Sequence, residues 1–494
     1  MPQAAGEPNS HPLSRRAVLA TLAALPAGPA LWAAAPEARL SGAALAQDIA
    51  VLRDAYTSLH PGLYRYATPA QVAKRLTRLE ADWANSPSLA EAYLSLSRFA
   101  ASVKCGHSYA NFFNQSRAVT DALFTHIPRL PFLFRWIDGQ IVVTRNQGPD
   151  ARISPGTIIH RINGVRGRDI LARLMPYVRA DGSNDAKRIA LLDVRGEEAW
   201  ETFDIFYGLL HPKVDHFTVE ARTPDGRPFT TRLPALSLAQ RRAAAPAKAT
   251  ADDSRWTFDW RGKTAVLTMP GWALYNSRWD WQSWLAARMA ELDRAGATGL
   301  IVDLRGNEGG LDCGNDVIAH LIDQPLVVTG FDRRLRYRRA PERLRPYLDT
   351  WDRSFDTLGE DATDLGNGFY RQASNAQITI APKGPRFRGK VAVLIEPMNS
   401  SATFQFAGLI KDHQLGLLIG SPTGGNQRGI NGGAYYFLRL PASGLEIDLP
   451  LIGYFAPDNA PDAGIMPDIA VQQTAGDIAA GHDRVLARAL AEMG

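Results

Sequence analysis

The sequence predicts an α/β protein in three parts: a helical region, a β-rich region, and a larger region with a buried, largely parallel sheet. Three observations carry this reading. Apolar residues recur at helical spacing up to about residue 99. Short apolar runs broken by Asp-Gly, Pro-Gly and Asn-Gly turns follow. Beyond residue 255, near-continuous apolar runs alternate with amphipathic stretches. At 494 residues the chain is long for one core, so two or three domains are expected.

Residues 1–35 have the order of an export leader. Ser14-Arg15-Arg16-Ala17-Val18-Leu19 opens a short Ala/Leu-rich stretch that ends in Trp32-Ala33-Ala34-Ala35. The paired arginines match the twin-arginine type, which places the mature protein in a bacterial envelope, in the periplasm. In 36–120, Leu45, Ile49, Leu52 and Tyr56 fall on one helix face, as do Leu89, Tyr93, Leu96 and Phe99, and His60-Pro61-Gly62 ends the first helix. In 121–234, residues 130–136 and 141–144 flank the turn Asp138-Gly139. The run from Ile153 to Gly164, with its Pro-Gly and Asn-Gly turns, resembles the strand pair of a PDZ domain, with 183–212 as an insertion. Residues 235–254, rich in Ala and polar side chains, read as a linker. In 255–494, runs at 264–269, 298–304, 391–395 and 415–419 predict strands, with helices over 279–295 and from Ser401.

Composition excludes several classes of function. With 45% hydrophobic and 21% charged residues and a net charge of +5, nothing marks a nucleic-acid partner, and the basic run 333–345 reads as a solvated arm. After the leader, no stretch has the roughly 18 consecutive apolar residues of a membrane span. Two cysteines exclude a disulfide-rich scaffold and a cysteine zinc cluster. HExxH and GxSxG are both absent. The near phosphate loop at 384–391 has Val391 where Ser or Thr should hold magnesium, and it enters a strand instead of leaving one. No metal or cofactor is predicted.

Four separated segments carry more. Val302-Asp303-Leu304-Arg305-Gly306-Asn307-Glu308-Gly309-Gly310 follows a buried strand, and Asn399-Ser400-Ser401-Ala402-Thr403-Phe404 opens a helix. Gly420-Ser421-Pro422-Thr423-Gly424-Gly425 and Gly464-Ile465-Met466-Pro467-Asp468-Ile469 come later. In this order they resemble the C-terminal processing peptidases and tricorn-core proteases, a serine peptidase family that includes the interphotoreceptor retinoid-binding repeats. The resemblance implies a ClpP/crotonase-like core behind an N-terminal helical domain and a PDZ-like β-rich domain.

The resemblance also assigns roles. The nucleophile falls on Ser401, with Asn399 and Ser400 read as the capping pair of its helix. The oxyanion donors fall on the N–H of Ala402 and on the Gly309-Gly310 turn. One branch of the family takes a lysine 25 residues after the serine as its base, but Asn426 stands there and an amide cannot accept the proton. The tricorn-like branch uses a histidine, matched here by His107 in Lys104-Cys105-Gly106-His107-Ser108-Tyr109. Where tricorn has a serine before its histidine, this chain has Gly106. The acidic partner has no Glu at the family's position, which leaves Asp462 and Asp458 as candidates. The same alignment suggests a Cys105–Cys313 disulfide tying helical domain to core.

The expectation is therefore an exported serine endopeptidase acting on a peptide or protein, engaged through its C-terminus at the PDZ-like unit. Two other readings stay open: a non-catalytic binder of a hydrophobic ligand or peptide with the same fold, and an esterase.

Overall fold

The computed structural model describes residues 39–198, 200–244, 256–328, 331–372 and 378–494. The leader 1–35 lies outside the described residues.

Local sequence signals set the N-terminal helices. Gly42–Leu59 starts at Ser41, whose side chain accepts from Ala44 N–H, and ends at His60. Pro69–Ala84 and Leu89–Ser102 each open on a capping box, Thr68 with Gln71 and Ser88 with Glu91, which satisfies two free N–H groups at each start. Their apolar faces, including Leu52, Tyr56, Leu76, Trp83, Tyr93 and Leu96, are buried.

The next unit is an antiparallel sheet. Phe132–Ile137, Gln140–Asn146, Ile158–Ile162, His216–Arg222 and Pro228–Pro234 pair in that order, with Val165–Arg166 added to Ile158–Ile162. Asp138-Gly139 and Asn163-Gly164 close two-residue hairpins with positive φ at both positions, as those dipeptides favour. The insertion supplies the helices Asp185–Leu191 and Thr202–Leu210. Part of the expected linker is ordered structure. Leu238–Ala243 is a capped helix that buries Leu238 and Arg241, and residues 245–255 lie outside the described ones.

The core sheet runs Ile469–Ala470, Leu417–Gly420, Lys390–Ile395, Gly299–Asp303, Thr264–Thr268, Thr257–Arg261. It is parallel except for the last hairpin. Trp281–Arg294, Cys313–Ala319 and Ala402–Asp412 pack in the cluster on one face. Val485, Ala489 and Met493 of Arg484–Met493 cover Val266, Ile301 and Leu394 on the other. Cover on both faces is why these strands read as continuous apolar runs.

A third, antiparallel sheet was not foreseen. Its centre is the pair Asn431–Arg439 and Glu446–Phe455, flanked by Leu348–Asp349 and Asp332–Leu335, with Tyr370–Arg371 and Thr363–Asp364 beyond. Although late in the chain, its apolar residues share one buried cluster with the N-terminal helices and the β-rich unit. Asp48 fastens the join by accepting from the N–H groups of Ala442 (2.7 Å) and Ser443 (2.8 Å). The basic run falls largely within this structure and is not a free arm. Leu335, Tyr337 and Leu344 are buried, Arg334 pairs with Asp332, and Arg343 pairs with Asp54.

Candidate active site

Gly299–Asp303 and Lys390–Ile395 are parallel neighbours, so the loops that follow them leave the same end of the sheet side by side. Two buried asparagines lock these loops together. Asn399 Nδ2 donates to the carbonyls of Leu304 (2.6 Å) and Asn307 (3.0 Å), and its Oδ1 accepts from Glu396 N–H (2.7 Å). Asn307 Nδ2 donates to Met269 O (2.7 Å), and its Oδ1 accepts from Gly309 N–H (2.9 Å). Asn399 is thus a loop staple and not a helix cap.

Ser401 occupies the turn into Ala402–Asp412 at φ 53° and ψ −125°, an unfavourable region for a residue with a side chain. Such geometry costs about 1–3 kcal/mol and persists only where the surroundings impose it. Its hydroxyl makes no hydrogen bond among the described residues, whereas Ser400 Oγ donates to Glu308 O (3.2 Å) and lies 3.4 Å from Lys187 Nζ. Ala402 opens the helix, so its N–H has no intrahelical acceptor. Gly309 lies directly against it: a Cβ at Gly309 would sit 2.9 Å from Ala402 N and 2.9 Å from Ser401 Cβ. Because Asn307 already holds the Gly309 N–H, the donor this turn leaves free is Gly310 N–H, a refinement of the expected pair.

His107 reaches this place from the helical unit through a short relay. Arg179 donates to Gly106 O (2.8 Å) and to Glu308 Oε2 (3.1 Å), joining the histidine segment to the residue before Gly309. Gly106 N–H donates to the buried Asp181 (2.8 Å). A Cβ at Gly106 would stand 2.6 Å from that carboxylate, so this contact leaves room for glycine alone. His107 Nδ1 is buried without a hydrogen-bond partner, and Nε2 lies beside Gly432 on the third sheet. Burial pushes the imidazole below its ordinary pKa; Asp181 and Glu308 oppose this, and Arg179 and Lys187 reinforce it. The group therefore stands as a neutral base near pH 7. No hydrogen bond joins His107 to Ser401 in this arrangement.

Residues 263–471, which hold both loops, match peptidase family S41. This segment belongs to peptidase family S41. Among solved structures, the chain is similar to mature CPAF complexed with lactacystin, at 15% identity over 89% of this chain and 95% of that one, with TM-score 0.60. It is similar to a serine-to-alanine mutant of CPAF at 15% identity, over 89% and 94%, with TM-score 0.61. These likenesses show a shared fold: an α/β core with helical and β-rich units. No curated protein matches the sequence.

Around the S41 loops lie groups that motif reading missed. Lys187, from the insertion helix, is 2% exposed. Its Nζ donates to Glu308 Oε1 (2.6 Å) and to Met398 O (2.8 Å). Burial raises the Glu308 pKa, but Arg179 and Lys187 outweigh it and hold the carboxyl well below the usual range. A lysine is therefore present beside the serine loop, but it is engaged in an ion pair. Glu396 ties the β-rich unit to the core: it accepts from Arg135 (2.7 Å), Arg195 (3.0 Å) and Gly306 N–H (2.8 Å).

Three expectations need correcting. Asp462 does not face His107, because its oxygens accept from Ser183 N–H (2.9 Å), Ser183 Oγ (2.8 Å) and Asn426 Nδ2 (2.7 Å). Asp458 is exposed. The carboxylate that bears most on the imidazole is Asp181. Cys105 and Cys313 are both free thiols, buried in separate apolar clusters, with Asn431 Nδ2 donating to Cys105 Sγ (3.3 Å). Burial pushes both thiols up to about 12, so neither is a thiolate at neutral pH. Among the described residues no helix is long and apolar enough to cross a membrane, and no group of His, Cys, Asp or Glu is placed to hold a metal ion.

Proposed function

We propose that the protein is an exported serine endopeptidase whose nucleophile is Ser401. The observation that carries this is the strained turn at Ser401, with its free hydroxyl and the unpaired Ala402 N–H packed against the Gly309-Gly310 turn. Peptide-bond hydrolysis needs these parts together: a nucleophile, a base, and donors aimed where the oxyanion will form. His107 accepts the Ser401 proton as the hydroxyl attacks the carbonyl, then delivers it to the leaving amine. Water next enters, gives a proton to His107 and attacks the acyl-enzyme; His107 returns that proton to Ser401 Oγ as the acyl bond breaks and the acid leaves. The two side chains are not hydrogen-bonded at rest, so the reading includes their closing together when substrate occupies the gap. Asp181 and Glu308 stabilise the transient imidazolium through space, in place of the acidic partner first sought at Asp462 or Asp458. The β-rich unit, read as PDZ-like, offers a sheet edge to an extended peptide and so presents the substrate's C-terminus.

Fluorophosphonate labelling of the mature chain tests this, run beside cleavage of a denatured protein substrate. An adduct mapping to Ser401, and loss of cleavage in Ser401→Ala and His107→Ala, are expected. Absence of both adduct and cleavage in folded protein would favour a non-catalytic binder. Hydrolysis of small esters without peptide cleavage would favour an esterase.

A further inference from the structure

One aromatic ring lies beside His107 and a second packs on it, and the mechanism above uses neither. Tyr435 lies with its ring 6.1 Å from the His107 ring. Trp351 is 49% exposed, yet it is not loose: its ring is 5.6 Å from Tyr435, 5.6 Å from Phe437 and 5.5 Å from Phe355. The neighbouring strand Leu348–Asp349 pairs with Leu438 and Phe437, which fixes this loop to the sheet edge.

A second observation is independent of exposure. The register of Asn431–Arg439 against its partner shifts between Gly432 and Tyr435, and Gly433 has φ +76°. Irregularities of this kind re-aim a side chain and cluster beside active sites. Here the shift leaves bare backbone at Gly432 next to His107 Nε2, with the Tyr435 hydroxyl close to the same glycine.

We infer that Trp351 and Tyr435 form a binding subsite for a large apolar or aromatic side chain of the substrate. The subsite receives the residue just C-terminal to the scissile bond. This rests on the Ser401–His107 reading, because His107 protonates the leaving amine and the residue bearing that amine then lies toward Tyr435 beside His107 and Trp351 packed on it. A half-exposed tryptophan ring is otherwise costly in water, and stacking against a bound aromatic side chain would cover it.

Cleavage sites from a peptide mixture are mapped first by mass spectrometry. Quenched peptides identical except for Phe or Ala after the scissile bond are then compared on wild type, Trp351→Ala and Trp351→Phe, with fluorophosphonate labelling of Ser401 in each. Wild type is expected to favour Phe by about tenfold or more in kcat/KM, the size typical of apolar pocket discrimination. Trp351→Ala collapses that ratio through KM, and Trp351→Phe restores most of it. An unchanged ratio in Trp351→Ala, an equal fall for both peptides, or a preference at the residue before the bond would overturn the subsite while leaving the peptidase reading standing. A wild type that cleaves no peptide and takes no label at Ser401 overturns the peptidase reading and the subsite with it.

Discussion

Replacing Gly309 with alanine probes the site where its two loops touch. The glycine sits at φ +103°, a conformation that side chains rarely adopt. A methyl group there would lie 2.8 Å from Ser400 O, 2.9 Å from Ala402 N and 2.9 Å from Ser401 Cβ, where ordinary contact begins at 3.4 Å. All three atoms belong to or adjoin backbone, so no flexible side chain can swing aside. The loops would have to part by roughly 0.5 Å, and the backbone would carry about 1–3 kcal/mol of strain. That movement takes Ala402 N–H away from the developing oxyanion. Loss of one such donor costs about 3 kcal/mol of transition-state stabilisation, or 10²–10³ in kcat. The measurement is kcat and KM on a quenched peptide, with circular dichroism as a check of the fold. A kcat lowered at least about a hundredfold with little change in KM is expected. Turnover within a few-fold of wild type, in protein confirmed to carry the substitution, would refute the assignment of this turn to the oxyanion.

Further expectations concern the charges behind the proposed base and the serine loop. Because burial holds His107 below its ordinary pKa, the acid limb of kcat/KM should lie below about pH 6.5. Asp181→Asn keeps an acceptor for Gly106 N–H but removes a charge that favours imidazolium, so the limb should move further to acid. A shift to higher pH would rule out the electrostatic role. Lys187→Met leaves Glu308 with Arg179 alone and strips Met398 O of its donor. Breaking a buried pair costs 3–5 kcal/mol, and here about 2 kcal/mol is expected, since Arg179 stays and Glu308 is one-third exposed. The denaturant midpoint should fall accordingly, and adding Glu308→Gln should recover part of it. A midpoint unmoved by Lys187→Met would show the pair to be of no structural weight.

What the sequence disclosed follows the range of each signal. The helical spacing of Leu45 to Tyr56 and of Leu89 to Phe99, the turns Asp138-Gly139 and Asn163-Gly164, and the apolar core strands are local, and each appears where its residues stand. The loops at 303–310 and 399–404 were legible because the two halves of the site are each continuous in sequence. Asp181 and Lys187 were not, nor was the ion pairing of Glu308, since these come from contacts across segments that motif order does not relate. Asp462 shows the same limit from the other side: its distance from a Gly-x-x-Pro-Asp motif says nothing of the direction in which its carboxylate points. The third sheet escaped because four of its strands are only two to four residues long, below any periodicity window. Its longest strand, Glu446–Phe455, is buried along most of its length and so does not alternate.

The relay from Gly106 through Arg179 to Glu308 also bears on how the molecule comes into being. The histidine segment is made early in synthesis and the serine loop late, and nothing in either half completes a proton path by itself. In the proposed mechanism, a chain whose early and late segments have not yet met would hold a serine without a base. Hydrolysis would then begin only once the late-made sheets have closed over the early-made helices, so the order of assembly would set when the site becomes complete.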